Sequence, residues 1–135
     1  MLKRTTAVSC LGLALAAVAF VPHGAHAASG PAFYTAAQAA AGKKLYVTNC
    51  AACHAADLSG TSAPPLRGPA APYHGTQSVA EIYDYISAQM PLNSPGSLSP
   101  KSYASILAYL LQQNGHAAGA SALTPAKAQT ITANM

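Results

Sequence analysis

The stretch Cys50-Ala51-Ala52-Cys53-His54 places two thiols on one helical turn and an imidazole directly after them. A C-x-x-C-H sequence is the attachment site of c-type haem. The spacing suits this use because two thiols on one turn reach the two vinyl groups on one edge of a porphyrin, and the histidine then lies beneath the iron. The motif predicts one haem c bonded covalently to Cys50 and Cys53, with His54 as the proximal iron ligand.

Two other uses of a close cysteine pair fit the sequence less well. A redox dithiol belongs beside a βαβ pattern, and no part of this chain shows convincing strand alternation. Zinc requires four ligands at characteristic spacing, and the chain has no second cysteine pair. Covalent haem is therefore favoured over both alternatives.

The N-terminal residues have the pattern of a secretory signal peptide. A positive start precedes an uncharged apolar run over 8–21, and a small-x-small cleavage site ends at Ala27. The apolar run is shorter than the ~20 residues of a spanning helix, which disfavours an uncleaved membrane anchor. We expect a signal peptide over 1–27, export to the periplasm, and no membrane span after cleavage.

The length of 135 residues suits one domain. After the signal peptide, residues 28–34 are interpreted as a leader, 35–115 as the domain and 116–135 as a C-terminal tail. Cys10 leaves with the signal peptide, so the motif cysteines are the two that remain. The remaining five Lys and Arg and three Asp and Glu form no basic run, so nucleic-acid binding is not expected.

Helix signals predict three main helices, each beginning at a polar N-cap: Thr35, Ser78 and Ser99. Gln38 and Glu81 stand three residues after the first two caps, which is the spacing of a capping box. The second helix must end before a proline at 91 and the third at an Asn-Gly pair at 114–115.

Residues 55–77 contain four prolines and three glycines, which predicts a long loop without regular structure. Loops of this length usually serve a function or wrap something. The pair Thr124-Pro125 predicts a short helical turn in the tail. The predicted fold class is all-α, with three main helices and a long Pro/Gly loop around one covalent haem.

The second axial ligand must come from a side chain that binds haem iron, such as His or Met. Beyond the signal peptide the methionines are Met90 and the terminal Met135. Met90 follows the second helix in a loop able to fold over the other haem face, and it is the predicted distal iron ligand. The alternatives are that Met90 only fills space or that His74 is the ligand, whereas His116 is expected to be exposed.

Residues 36–115 together resemble class I cytochrome c. In that family an N-terminal helix carries Gly-x-x-x-aromatic, matched by Gly42 and Tyr46, and crosses a C-terminal helix. The candidates for that second helix are apolar or aromatic: Tyr103, Ile106, Tyr109 and Leu110. The haem motif follows the first helix, and the ligand Met comes late as Met-Pro, matched by Met90-Pro91.

The resemblance also implies two residues of the haem pocket. In the family a proline about a dozen residues after the motif offers its carbonyl to the ring N–H of the ligand histidine. Pro64 (or Pro65) occupies that place, directly before Leu66, which is expected to pack against the haem. Such a bond orients the imidazole ring and tunes the iron.

Residues 82–115 are similar to small cytochromes that accept electrons from periplasmic dehydrogenases, notably quinoprotein alcohol dehydrogenases. The resemblance implies a periplasmic one-electron carrier that is not an enzyme. Its donor would be such a dehydrogenase and its acceptor an oxidase or another cytochrome of the respiratory chain. Electrons are expected to cross near Ala51, Ala52 and residues 64–72. The alternatives are a subunit docked to a dehydrogenase through the tail, and a haem enzyme or gas-binding protein with an open iron site.

Overall fold

The computed structural model describes residues 31–135, so the predicted signal peptide over 1–27 lies outside the described residues. The described part contains helices and no named strand. The helices are α1 (Ala36–Asn49), α2 (Ala51–His54), α3 (Val79–Gln89), α4 (Pro100–Gln113) and α5 (Pro125–Ala128). The all-α prediction with three main helices is confirmed. No helix within residues 31–135 is long and apolar enough to cross a membrane.

The N-caps of the main helices are as predicted, with one difference in α1. Ser78 and Glu81 form a complete capping box at α3. Thr35 accepts a hydrogen bond from the Gln38 backbone N–H at 3.2 Å, but the Gln38 side chain does not return to Thr35. It donates to the Leu123 carbonyl and accepts from the Leu123 N–H, both at 2.7 Å. The predicted capping box at α1 is therefore half formed, because the tail offers the Gln38 amide two backbone partners.

Helices α1 and α4 cross at Gly42. A Cβ atom added to Gly42 would lie 1.8 Å from the Ser105 carbonyl oxygen, far inside van der Waals contact. One turn further along α1, the buried Tyr46 ring packs against Tyr109 of α4, with ring centroids 5.4 Å apart and planes tilted by 52°. A residue without a side chain at 42 thus lets the two helix backbones meet.

The Pro/Gly loop over 55–77 consists of turns and bends, as predicted. Asn114 at the end of α4 holds its middle part. The Asn114 side chain donates to the Leu66 carbonyl at 3.1 Å and accepts from the Gly68 N–H at 3.0 Å. The Tyr73 hydroxyl also donates to the Leu66 carbonyl. The loop is thus fastened to the C-terminal end of α4.

Residues on both sides of the predicted domain pack against it. Tyr34, at the end of the predicted leader, is buried, and its hydroxyl donates to the His116 carbonyl at 2.6 Å. In the tail, Leu123, Ile131 and Met135 are buried in the same core. The 35–115 boundaries remain a prediction, but the core of the described chain extends beyond them on both sides.

Candidate haem-binding site

A cavity of about 880 Å³ lies between the helices and the Pro/Gly loop. Its walls come from α1, α2, α3 and α4 and from the loops after α2 and α3. Every site residue predicted from the sequence lines it: Cys50, Cys53, His54, Pro64, Leu66 and Met90. The fold therefore brings together, around one cavity, residues that span forty positions of the sequence.

The two thiols lie on the one-turn helix α2, with Cys50 at its N-cap and Cys53 in its third position. Cys50 closes α1, with its N–H donating to the Tyr46 carbonyl at 2.8 Å, and it also begins α2. Both thiols are free, with Cys50 partly buried and Cys53 exposed. Burial, and to a lesser degree the neighbouring Cys53, raises the pKa of the Cys50 thiol to about 11. The Cys50 thiol is therefore protonated at neutral pH.

His54 is oriented by a hydrogen bond to the Pro/Gly loop. Its Nδ1 lies 2.8 Å from the Pro64 carbonyl oxygen, which is the contact that the family resemblance implies for Pro64 or Pro65. A carbonyl only accepts, so Nδ1 must carry the proton. The other ring nitrogen, Nε2, then keeps its lone pair and can bind a metal ion.

Met90 lies at the C-cap of α3, where its N–H donates to the Ile86 carbonyl at 3.2 Å. It lines the cavity, whereas the other ligand candidates do not. Met135 is buried in the core, and His74 is exposed in the loop. Among the candidates considered, Met90 alone lines the same cavity as the motif.

His116 differs from its expected exposure. The residue is half-buried, and its buried Nδ1 has no hydrogen-bond partner within residues 31–135. Burial lowers the pKa of the His116 imidazole. The reason is that the tail passes beside Tyr34, whose hydroxyl donates to the His116 carbonyl and whose carbonyl accepts from the Gly119 N–H. The imidazole is thereby held against the protein and away from the cavity.

The remaining walls are mostly apolar, with four tyrosines among them: Tyr46, Tyr73, Tyr85 and Tyr103. Burial raises the pKa of Tyr73 to about 12, so its hydroxyl is neutral at physiological pH. The Tyr73 and Tyr103 hydroxyls donate to the carbonyls of Leu66 and Met90, respectively. These two tyrosines were missed as site residues. Their spacing in the sequence gives no indication of which carbonyl each hydroxyl reaches.

The residues present fit a covalent haem. Two free thiols, an imidazole with an available Nε2 and a thioether all line one apolar cavity. Imidazole and thioether are common axial ligands of haem iron. Cys50 and Cys53 would carry the thioether bonds, with His54 and Met90 as the axial pair. This ligand assignment remains a prediction.

Comparison with known proteins identifies relatives of the chain. A family model described as cytochrome c oxidase, cbb3-type, subunit III, matches residues 37–110. The chain is also similar to the crystal structure of the sulfane dehydrogenase SoxCD from Paracoccus pantotrophus, with 29% sequence identity and a TM-score of 0.59. That match covers 70% of this chain and 52% of the SoxCD chain. The chain therefore spans about half the length of the chain it matches. A comparison with curated proteins gives no match.

Proposed function

The chain belongs to the c-type cytochromes, in the family described as cytochrome c oxidase, cbb3-type, subunit III, and we propose that it is a periplasmic one-electron carrier. Membership of this family implies one covalent haem c, electron transfer and redox protein partners. The haem iron supplies a couple that gains or loses one electron. The location and the identity of the partners belong to the proposal.

One observation carries the carrier function: Met90 lines the same cavity as His54. A histidine and a methionine together satisfy both axial positions of haem iron, and the soft thioether favours the reduced state. An enzyme or gas-binding haem protein needs an open position at the iron. We therefore favour a carrier that is not an enzyme over those alternatives.

Two exposed edges of the cavity are available to redox partners. One contains Ala52 and Pro64, within the region expected from the sequence. The other contains Tyr85 and Leu92, which are 55% and 78% exposed although both line the cavity. Such an apolar rim suits the small, transient contacts of electron-transfer partners.

A dehydrogenase is the proposed electron donor, and an oxidase or another cytochrome is the proposed acceptor. The similar structure is that of a sulfane dehydrogenase, which supports a dehydrogenase of some kind as the donor and leaves a quinoprotein enzyme as one case of it. The docked-subunit alternative named the tail as a docking segment. In this chain Leu123, Ile131 and Met135 pack into the core, which favours a free carrier.

The test compares two methionine variants that differ only in location. Met90→Leu and Met135→Leu each replace a thioether by an apolar side chain of similar volume. We expect a long-wavelength Met–iron charge-transfer band in the ferric wild type and in Met135→Leu. The band should vanish in Met90→Leu. The midpoint potential of Met90→Leu should fall by about 0.1 V or more, within the ~0.8 V range that axial ligands span.

The opposite result is equally specific. A ferric wild type without this band, whose ferrous form readily binds carbon monoxide, would have an open or weakly held iron site. This result would contradict the electron-carrier proposal and favour a catalytic or gas-binding haem protein.

A further inference from the structure

Tyr103 lies where the loop that carries Met90 meets α4. This Met90 loop, residues 90–98, connects α3 to the N-cap of α4 at Ser99. The Tyr103 side chain is 3% exposed and lines the cavity. It is the fourth residue of α4, so its backbone is held by the helix, with its N–H donating to the Ser99 carbonyl at 3.1 Å.

The Tyr103 hydroxyl joins the two ends of the Met90 loop. It donates to the Met90 carbonyl at 2.6 Å and accepts from the Leu98 N–H at 3.2 Å. The Met90 carbonyl also receives a longer hydrogen bond from the Gly96 N–H at 3.3 Å. One oxygen on a rigid helix thus closes the loop whose first residue is the predicted iron ligand.

We propose that Tyr103 is a positioning residue for Met90, and that its hydroxyl controls how readily an external ligand displaces Met90 from the iron. The inference rests on the proposed function, because it requires Met90 to be the distal ligand. Movement of the backbone at residue 90 away from the cavity would carry the Met90 thioether away from the iron. The two hydrogen bonds of Tyr103 oppose this motion at both ends of the loop.

Tyr34 provides a matched control. Its side chain is 1% exposed and its hydroxyl also donates to a backbone carbonyl at 2.6 Å, that of His116. Tyr34 does not line the cavity. Tyr34→Phe therefore removes a hydrogen bond of the same kind, length and burial at a site remote from Met90.

The experiment titrates imidazole into the ferric holoprotein and follows the Met–iron charge-transfer band. A hydrogen bond of ordinary net strength corresponds to a change of about tenfold in an equilibrium constant. We expect Tyr103→Phe to bind imidazole about tenfold more tightly than the wild type, and Tyr34→Phe to stay within about twofold of it. Met90→Leu serves as the reference, because imidazole then binds the iron without displacing a thioether. Hydrogen exchange at the Leu98 amide should accelerate in Tyr103→Phe and stay unchanged in Tyr34→Phe.

Equal imidazole affinities for Tyr103→Phe and Tyr34→Phe, with the band intact in the wild type and lost in Met90→Leu, would overturn the role of Tyr103 alone. Loss of the proposed function has a different signature. A wild type that lacks the band and binds imidazole as tightly as Met90→Leu would remove Met90 as a ligand, and the inference would fall with it.

Discussion

A single hydrogen bond determines which nitrogen of His54 faces the cavity. The Pro64 carbonyl accepts from Nδ1 at 2.8 Å, and the backbone that presents this carbonyl turns back at Gly60. Gly60 has a φ of +81°, in the left-handed region, and its N–H donates to the His54 carbonyl at 3.0 Å. The orientation of the His54 imidazole therefore depends on Gly60, which has no side chain and acts through its backbone alone.

We predict that Gly60→Ala destabilises the holoprotein and disturbs the haem site. An added Cβ would lie 2.7 Å from the Ala63 carbonyl oxygen and 3.0 Å from the Pro64 carbonyl carbon. Left-handed backbone costs a non-glycine residue about 1–2 kcal/mol, and crowding adds about 1–3 kcal/mol. Urea unfolding measures the loss, and the midpoint potential reports the displaced Pro64 carbonyl.

Gly75→Ala is the control for backbone strain alone. Gly75 has a φ of +67°, and its added Cβ would meet nothing within 4 Å. Its cost should stay near 1–2 kcal/mol, about the strain expected for left-handed backbone, with no change in potential. Equal losses and equal potentials for the two variants would show that Gly60 does not control the position of Pro64.

At the scale of helices, the crossing of α1 and α4 holds the haem motif in place. The motif follows α1 directly, while α4 supplies Tyr103, Ile106 and Leu110 to the cavity. The crossing at Gly42 brings these helices together, and the Tyr46–Tyr109 ring contact packs beside it. A change in the distance between α1 and α4 would therefore move both the haem motif and the cavity residues of α4.

We predict that Gly42→Ala destabilises the protein by up to about 2 kcal/mol, although alanine is the better helix former. The propensity gain is about 1 kcal/mol, but the methyl group would overlap the Ser105 carbonyl oxygen. Overpacking of this kind costs about 1–3 kcal/mol and sometimes more. Equilibrium urea unfolding of the holoprotein measures the difference.

Ala41→Gly, at the exposed neighbouring position in α1, isolates helix propensity. It should cost about 1 kcal/mol. If Gly42→Ala were instead more stable than the wild type, the close contact at Ser105 would be absent in solution and the helix crossing would need revision.

At the scale of the whole molecule, the tail joins the beginnings of α1 and α3. Leu123 binds the Gln38 side chain near the start of α1. Near the start of α3, the Val79 and Ala80 N–H groups donate to the carbonyls of Ala133 and Ile131 at 3.0 and 3.1 Å, respectively. The C-terminal residues thus tie the first turns of two helices together, and His116 stands where this tail leaves α4.

We predict that stability falls as the pH drops below about 6.5, because of His116. Burial lowers the pKa of its imidazole below the usual 6.5 in the folded state. The unfolded chain therefore binds the proton first, so unfolding is favoured as the pH falls from 6.5 to the folded-state pKa. Urea midpoints between pH 5 and 8 measure the effect, and His116→Gln should flatten it.

The control is His74→Gln, the same exchange at an exposed position of the Pro/Gly loop. Two carboxylates affect the stability over a separate, lower range of pH. Hydrogen bonds to Ser59 and Ser78 lower the pKa values of Asp57 and Glu81, so the stability they contribute is lost only below their usual values of 3.8 and 4.5. A profile that His116→Gln leaves unchanged would contradict the prediction.

The sequence alone determined the features that depend on neighbouring residues. Spacing, capping and backbone breakers act within a few residues. They predicted the haem motif, the N-caps of the three main helices, the ends of the second and third helices, and the loop over 55–77. The resemblance to class I cytochrome c also implied that the helix carrying Gly42 and Tyr46 crosses the C-terminal helix.

Only the tertiary structure decided the partners that lie far apart in the chain. Gln38 binds Leu123 across 85 positions, and Tyr34 binds the His116 carbonyl across 82. A polar side chain such as that of Gln38 can bind either a nearby or a distant backbone group. The neighbouring residues do not indicate which of the two it binds. The burial of His116 and the hydrogen bond from Tyr103 to Met90 could not be predicted for the same reason. They depend on how the tail and the Met90 loop pack against α4.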